Sequence, residues 1–350
     1  MTFDTNLKAV TQSALLPKAV DSVLNSNIHT ARTLGNMKAW RGETLDKSFI
    51  YQTGGQGGSF SGFDKFNTAS VNTKIRLSFD PRGYEIPVVL GGMEVAVNAN
   101  SDRSVDLVAE AMEEASNEGS DQVGGYLYAD GTGNSSKDFL GLAAIVDDGG
   151  EVATYGGQSR TTYTTLKANE TDLGGALTLA AMATMYDSCK RGNDKPNILY
   201  TTESIWSDYE ALNQAGVQNN QDGYRQATAK SSVRTVDALK GEMGFDSLTY
   251  RGALVVADEK CTSGTMWFIN EKWIAFYGLK ATLDGYTPIM VGGNQSIEGV
   301  YEDEPRESLG FSWSGFKQPV DQFAEIGHIL LLGNYVSFNP NRHGVLNTIS

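Results

Sequence analysis

Residues 101–142 constrain the fold of this chain more than any other stretch. They open with the acidic run SDRSVDLVAEAMEEASNEGSDQ, in which Val105, Val108, Met112 and Ala115 recur at spacings of three and four. That period puts the four on one face of an α-helix. Asp106, Glu110, Glu113, Glu114 and Glu118 fall mostly off the stripe, where water solvates them. Ser101 or Ser104 suits the N-cap, and Asp102 and Asp106 suit the positive end of the helix dipole. The spacing predicts a helix from about Asp102 to about Gln122, weakened at Gly119 and ended by Gly124-Gly125. An aromatic strand, YLYA, and the turn-dense DGTGNSSKDFLGL are expected to follow.

Upstream, TKIRLSF alternates strictly, with Ile75, Leu77 and Phe79 on one face and Lys74, Arg76 and Ser78 on the other. LDKSFIYQT, with Phe49 and Tyr51 sharing a face, is its expected partner. Between them lies the glycine-rich GGQGGSFSGFDKFNTAS, which presents Phe60, Phe63 and Phe66 to whatever approaches. Arms of about ten residues at ~3.3 Å each project roughly 30 Å. A lone two-stranded hairpin of that length is marginal in water, so a partner surface is implied.

The remaining text divides in two. Residues 1–43 hold one short helical pattern (Leu15, Leu16, Ala19, Val20, Val23, Leu24), and then NSNIHTARTLGN, which reads as an extended arm. IPVVL and MEVAVNA read as strands returning the chain to the long helix. Beyond residue 140, GLAAIVDDGGEVATYGG is expected to form a strand and hairpin turning at Gly149-Gly150. LGGALTLAAMATMYDSCKRG is expected to form a helix with Leu177, Ala180, Met185 and Cys189 inward. NILYTT reads as a buried strand and ESIWSDYEALNQAG as a helix capped by Thr202. SLTYRG, ALVVAD and TMWFIN read as further strands. Such alternation over 140–280 predicts an α/β body. A last apolar strand, HILLLGNYVSF, is expected to end at Pro340 and Gly344.

A long helix leading into Y-x-D-G-T-G-N, a G-L step and the closing GN-x-V-x-x-NP-x-R-x-G resembles the major capsid proteins of tailed bacteriophages with the HK97 fold. The resemblance covers nearly the whole chain. It implies an α+β fold with an N-terminal arm (1–43) and an extended hairpin, the E-loop (44–83). A peripheral (P) domain with the spine helix would span 84–140 and 300–350, and an axial (A) domain 141–299. It also implies that the hairpin lies across an adjacent subunit. Phe49, Tyr51, Phe60, Phe63, Phe66, Lys74, Arg76, Arg32 and Lys38 are the expected subunit-interface residues. Hexamers and pentamers of an icosahedral shell would enclose double-stranded DNA without reading its sequence, in a virion assembled in the bacterial host cytoplasm. Portal and decoration proteins are further expected partners. The chain begins only about forty residues before the hairpin, without the long helical extension that serves some relatives as a fused scaffold; a separate scaffolding protein, or a short arm doing its job, is therefore expected. Lys47, Lys65 and Lys74 are available for the covalent Lys–Asn link of some relatives, but no acceptor can be placed and no crosslink is expected. A cargo-carrying encapsulin shell is the second reading, and a soluble carbohydrate-active or carbohydrate-binding protein the third.

Charge and motif content agree with a structural role. The net charge of −14 argues against a protein that binds nucleic acid by neutralising phosphates, and against docking on an anionic membrane. The imbalance lies in the body: residues 1–47 carry six Lys/Arg against four acids, the remainder 22 against 38. Cys189 and Cys261 have no CxxC partner, and His29, His328 and His343 lack metal-ligand spacing. Asp130, Thr132, Asn134 and Asp138 resemble a calcium loop, but Ser135 and Gly141 stand where its glycine and terminal acid belong. The paired acids (Glu113-Glu114, Asp147-Asp148, Glu302 to Glu304) show only sequence adjacency. No GxSxG elbow or phosphate-binding loop is present, and no catalytic, metal or cofactor residue is expected.

Overall fold

The computed structural model describes residues 27–55, 57–93, 111, 115, 118–119, 121–217, 248–279, 287–288, 311–320 and 322–350. Helix α1 (Ile28–Gly35) and strand β1 (Lys38–Trp40) come first, followed by β2 (Leu45–Ile50), β3 (Lys74–Phe79) and β4 (Arg82–Gly91). The long helix, α2, is helical at 111, 115, 118, 119 and 121–128. Two short strands, β5 (Thr154–Tyr155) and β6 (Gln158–Ser159), precede β7 (Asn169–Gly175), α3 (Leu179–Cys189), β8 (Ile198–Thr201) and α4 (Glu203–Val217). Then come β9 (Leu248–Tyr250), β10 (Ala253–Ala257), β11 (Met266–Ile269), β12 (Ile274–Leu279), β13 (Thr287–Pro288), β14 (Phe311–Trp313), β15 (Ala324–Ser337) and β16 (Gly344–Ile349). Among the described residues no helix is long and apolar enough to cross a membrane.

One sheet runs β7-β16-β11-β8-β10-β9. ILYT, ALVVA and MWFI are apolar almost throughout because both faces of this sheet are covered. Alternation sorts their side chains. Leu199, Val255, Phe268 and Leu346 face a core closed by Met182, Met185, Tyr186 and Cys189 of α3 and Ile205 and Tyr209 of α4. Ile198, Tyr200, Val256, Trp267, Ile269 and Val345 face the main core on the other side.

The second sheet runs β1-β12-β15-β14-β13, with β4 also on β15. The fourteen-residue β15 joins its halves, pairing with β4 along Ala324–Gly333 and with β12 along Gly333–Ser337. In β4 the sequence IPVVL alternates: Ile86, Val88 and Leu90 are buried, while Pro87 and Val89 are exposed.

Helix α2 packs on that buried face through Ala115, Val123 and Leu127, spaced in multiples of four. Here the expected element limits need correction. Gly124-Gly125 does not end the helix, and YLYA is its last turn rather than a strand. Gly119 and Gly124 serve packing instead: a Cβ at Gly119 would lie 2.2 Å from Ile86 Cδ1, and one at Gly124 would lie 2.6 Å from Asn27 Nδ2. The expected Val105/Val108/Met112 stripe, Glu110, Glu114 and MEVAVNA from residue 94 onward lie outside the described residues, as does the pattern at 15–24. After α2, Arg82 Nη1 donates to the carbonyls of Gly131 (2.8 Å) and Asp138, and Asn334 bridges Leu140 N (3.0 Å) to the Asp80 carbonyl (2.9 Å). The DGTGN turn is thereby fastened to both β4 and β15.

Four further expectations change. NSNIHTARTLGN is no extended arm over its described part: α1 is buried on its own body at His29, Thr30, Ala31 and Leu34, and β1 pairs in parallel with β12. GLAAI makes a helical turn at Leu142–Ile145, and the small hairpin turns at Gly156-Gly157. Residues 169–175 form β7, so α3 starts only at Leu179, capped by the Thr178 hydroxyl, and Ala180 is exposed. Gly344 begins a strand rather than ending one: β16 crosses into the first sheet, between β7 and β11.

Candidate assembly surface

The hairpin grows out of the body from a fixed root. β2 and β3 pair with each other as expected, antiparallel, with Phe49 opposite Ile75 and Leu45 opposite Phe79. Leu77 and Phe79 are buried. Phe79 packs edge-on against Tyr155 at 5.1 Å and meets Phe338 at 6.2 Å. Gly156, at φ +57°, brings the β5–β6 turn so close that a Cβ there would lie 2.9 Å from Phe79 Cζ. Its carbonyl accepts from Ser78 N at 3.0 Å, and Gln158 Nε2 donates to the Arg76 carbonyl at 3.0 Å. Tyr155 extends the anchorage to β15, donating to the Ser337 carbonyl (2.8 Å) and accepting from Ser337 N (2.9 Å).

Beyond this root the support thins. Phe49 is half-buried against the main core. Tyr51, also half-buried, stacks edge-on with Tyr163 at 4.9 Å and donates to the Asn72 carbonyl at 2.6 Å. Lys74 is exposed at the start of β3, and Arg76 is exposed and paired with Asp46 at 2.5 Å. At the tip Phe60 is 66%, Phe66 69% and Phe63 fully exposed, with the first two stacked on each other at 5.1 Å. Three exposed phenylalanines on one loop form an apolar patch that is costly to leave in water.

Arg32 and Lys38 do not join this group. Arg32 makes a two-pronged ion pair with Glu271 (2.7 and 2.6 Å), whose carboxylate also accepts from Asn197 Nδ2 at 2.5 Å. That guanidinium is committed within its own subunit. Lys38 is exposed on β1, its ammonium 5.8 Å from the Tyr277 ring.

Sequence reading missed the rest of the exposed apolar surface. Ile50 (62%) and Val71 extend the hairpin patch, and Val89, Met93, Val320 and Phe323 form exposed positions at the β4 and β15 ends. The alternation of IPVVL was the available signal for Val89.

Of the three sets of paired acids noted in the sequence, only Asp147-Asp148 lies among the described residues. Ligand atoms of Asp147, Asp148 and Glu170 lie within 4.8 Å of one another. Asp147, however, is neutralised by the buried Arg160 (3.0 Å) and accepts from Gly149 N (2.6 Å) and Glu151 N (3.2 Å). At the calcium-like turn, the Asp130 carboxylate accepts from Thr132 N at 3.0 Å and from its hydroxyl. That turn hydrogen bond holds the Asp130 carboxyl below its usual range.

No family model matches this sequence, and no curated protein matches it. Solved structures do. The chain is similar to a chain of the capsid asymmetric unit of cyanophage A-1(L), with a TM-score of 0.60 at 16% identity over 92% of both chains. It is also similar to the holo encapsulin complex of Synechococcus elongatus, with a TM-score of 0.50 at 11% identity over 91% of this chain and 86% of that one. A structure of Mycobacterium phage Bobi gives 0.50 at 8% identity, over 93% and 89%.

Proposed function

We propose that this chain, whose α+β fold is that of HK97-type capsid proteins, is the major capsid protein of a tailed double-stranded DNA bacteriophage. One observation carries the reading: a hairpin rooted rigidly at Leu77 and Phe79 holds Phe60, Phe63 and Phe66 out in water. The work of such a protein is geometric. The tip covers its phenylalanines on a neighbouring subunit, and the same contact recurs around every subunit. Many modest contacts then close cooperatively into hexamers, pentamers and a shell. The role is structural rather than enzymatic. The acidic body suits a container for a polyanion, because a basic lining would hold DNA against the wall. A separate scaffolding protein, a portal, a decoration protein and assembly in the host cytoplasm belong to the same proposal.

The experiment is electron microscopy of the expressed protein beside a variant lacking residues Gly54 to Gly62. Shells or capsomers from the parent and folded, unassembled subunits from the deletion are expected. Normal shells from the deletion would end the hairpin's role, and a parent that stays monomeric under every assembly condition would end the capsid reading. The encapsulin shell is the second reading, favoured by the structural match to the Synechococcus complex. Shells that co-purify a host enzyme from a lysate, in place of packaging DNA beside a portal, would favour it.

A further inference from the structure

Helix α1 is held to the body around one histidine. His29 is 2% exposed, and its ring lies 5.0 Å from Tyr128 of α2, 4.5 Å from Tyr200 of β8 and 5.7 Å from Tyr335 of β15. Its Nε2 has no hydrogen-bond partner among the described residues. On the other side only the Thr33 hydroxyl comes near, 3.5 Å from Nδ1. The backbone N–H of the same residue donates to Asp258 Oδ2 at 2.8 Å, so a carboxylate 229 residues away caps the helix. One turn on, Arg32 clasps Glu271. The ring therefore sits where the first turn of α1 meets three elements of the body.

We propose that residues 27–36 form a proton-released strap: protonation of His29 on mild acidification detaches α1 from the body while the two sheets stay folded. An imidazolium in this cage would carry two N–H donors toward three tyrosine rings, beside the fixed charge of Arg32. Burial, and then Arg32, hold its pKa down to about 3, against 6.5 for the free side chain. The sign follows. The docked state excludes the proton, so docking is strongest above pH 6.5 and weakens as pH falls from 6.5 toward 3. The other charged groups facing the cage are Asp258, Glu271 and Lys260. Glu271 is occupied by Arg32, and Lys260 pairs with Asp121. Asp258 opposes the effect: burial holds its carboxyl above the usual carboxylate range, so proton uptake there favours docking. The three tyrosines are pushed upward by burial and stay neutral throughout.

The test is hydrogen exchange with mass spectrometry on the full-length subunit between pH 7.5 and 4.5, corrected for intrinsic rates. Protection of peptides covering 27–36 is expected to fall up to tenfold per pH unit below 6.5, ahead of peptides covering β8 and β10. In His29→Gln, which keeps polarity without titrating, that slope is expected to vanish; His29→Phe serves if the glutamine variant misfolds. In His343→Gln, which removes a buried histidine elsewhere, the strap slope is expected to persist. Strap protection in the parent that changes less than twofold per unit between pH 6.5 and 5 overturns the proposal. So does strap loss that tracks the body at every pH, or an unchanged slope in both His29 variants.

Discussion

The Arg160 guanidinium lies wholly out of water and donates to Asp147 Oδ1 at 3.0 Å. Its other donors are all used, on the carbonyls of Val152 (2.9 Å), Ala144 (2.8 Å), Ile145 (3.0 Å) and Leu166 (3.3 Å). This one side chain gathers the backbone between α2 and β7, including the turn that roots the hairpin. Lysine has three donors and no fork, so Arg160→Lys strands at least two buried carbonyls. At about 1–3 kcal/mol for each, a loss of roughly 2–6 kcal/mol is expected in urea unfolding of the subunit. A loss below about 1 kcal/mol would mean that water reaches the site.

Gly119 and Gly125 are expected to respond in opposite directions to alanine. Both lie in helix α2, where alanine is worth about 1 kcal/mol over glycine in propensity. At 125 nothing lies within 4 Å of the new Cβ, so Gly125→Ala should stabilise by about that amount. At 119 the Cβ lands on buried Ile86, and overpacking costs about 1–3 kcal/mol. Gly119→Ala should therefore lower the thermal midpoint and Gly125→Ala raise it. Two rises would show that Ile86 has room to yield.

These glycines show where local reading of the sequence stops. The hairpin was legible because alternation of TKIRLSF against LDKSFIYQT and a glycine-rich tip are local facts. The order of buried strands from β8 to β11 was legible for the same reason. The continuation of α2 through Gly124-Gly125 was not, because the close neighbour of Gly124 is Asn27, remote in sequence, just as that of Gly119 is Ile86. Helix α1 was hidden too: its cap is Asp258, and IHTARTLG carries no acid in its first turn. The landing of β16 between β7 and β11 depends on pairing with strands remote in sequence, such as Phe268 with Gly344 and Asn169 with Gly344, which composition cannot carry. Among the expected interface residues, the exposure of the tip phenylalanines follows from their own polar, glycine-rich loop, whereas the ion pair of Arg32 depends on Glu271, 239 residues away.

Replacing Phe63 by Asp separates folding from assembly. The ring is fully exposed, so its loss should change subunit stability by no more than about 0.5 kcal/mol. On the proposed docking of the tip against a neighbouring subunit, a charge at this position should abolish shells seen by electron microscopy. Leu77→Ala is the contrasting variant, since it empties the hairpin root and should cost about 2–5 kcal/mol in the subunit itself. Normal shells from Phe63→Asp would remove that ring from the interface.

Acid should weaken the subunit well above the range where ordinary carboxylates titrate, through His343. The residue is fully buried between β15 and β16, and its Nδ1 accepts from Asn270 N at 3.2 Å. The proton therefore sits on Nε2, which donates to Ser337 Oγ at 2.8 Å. A second proton would break the Asn270 bond and bury a charge, and burial holds the pKa down to about 3. The unfolded chain takes up a proton near 6.5 and the folded one does not, so stability is complete above 6.5 and declines as pH falls toward 3. The decline is about 1.4 kcal/mol per unit, or roughly 2 kcal/mol from this residue at pH 5. Urea unfolding at pH 7.5, 6 and 5 measures it. His343→Gln is expected to be less stable than the parent at pH 7.5, because it breaks the Asn270 and Ser337 geometry, yet to lose less on acidification. Parallel pH profiles for the two proteins would mean that His343 is already charged in the folded state.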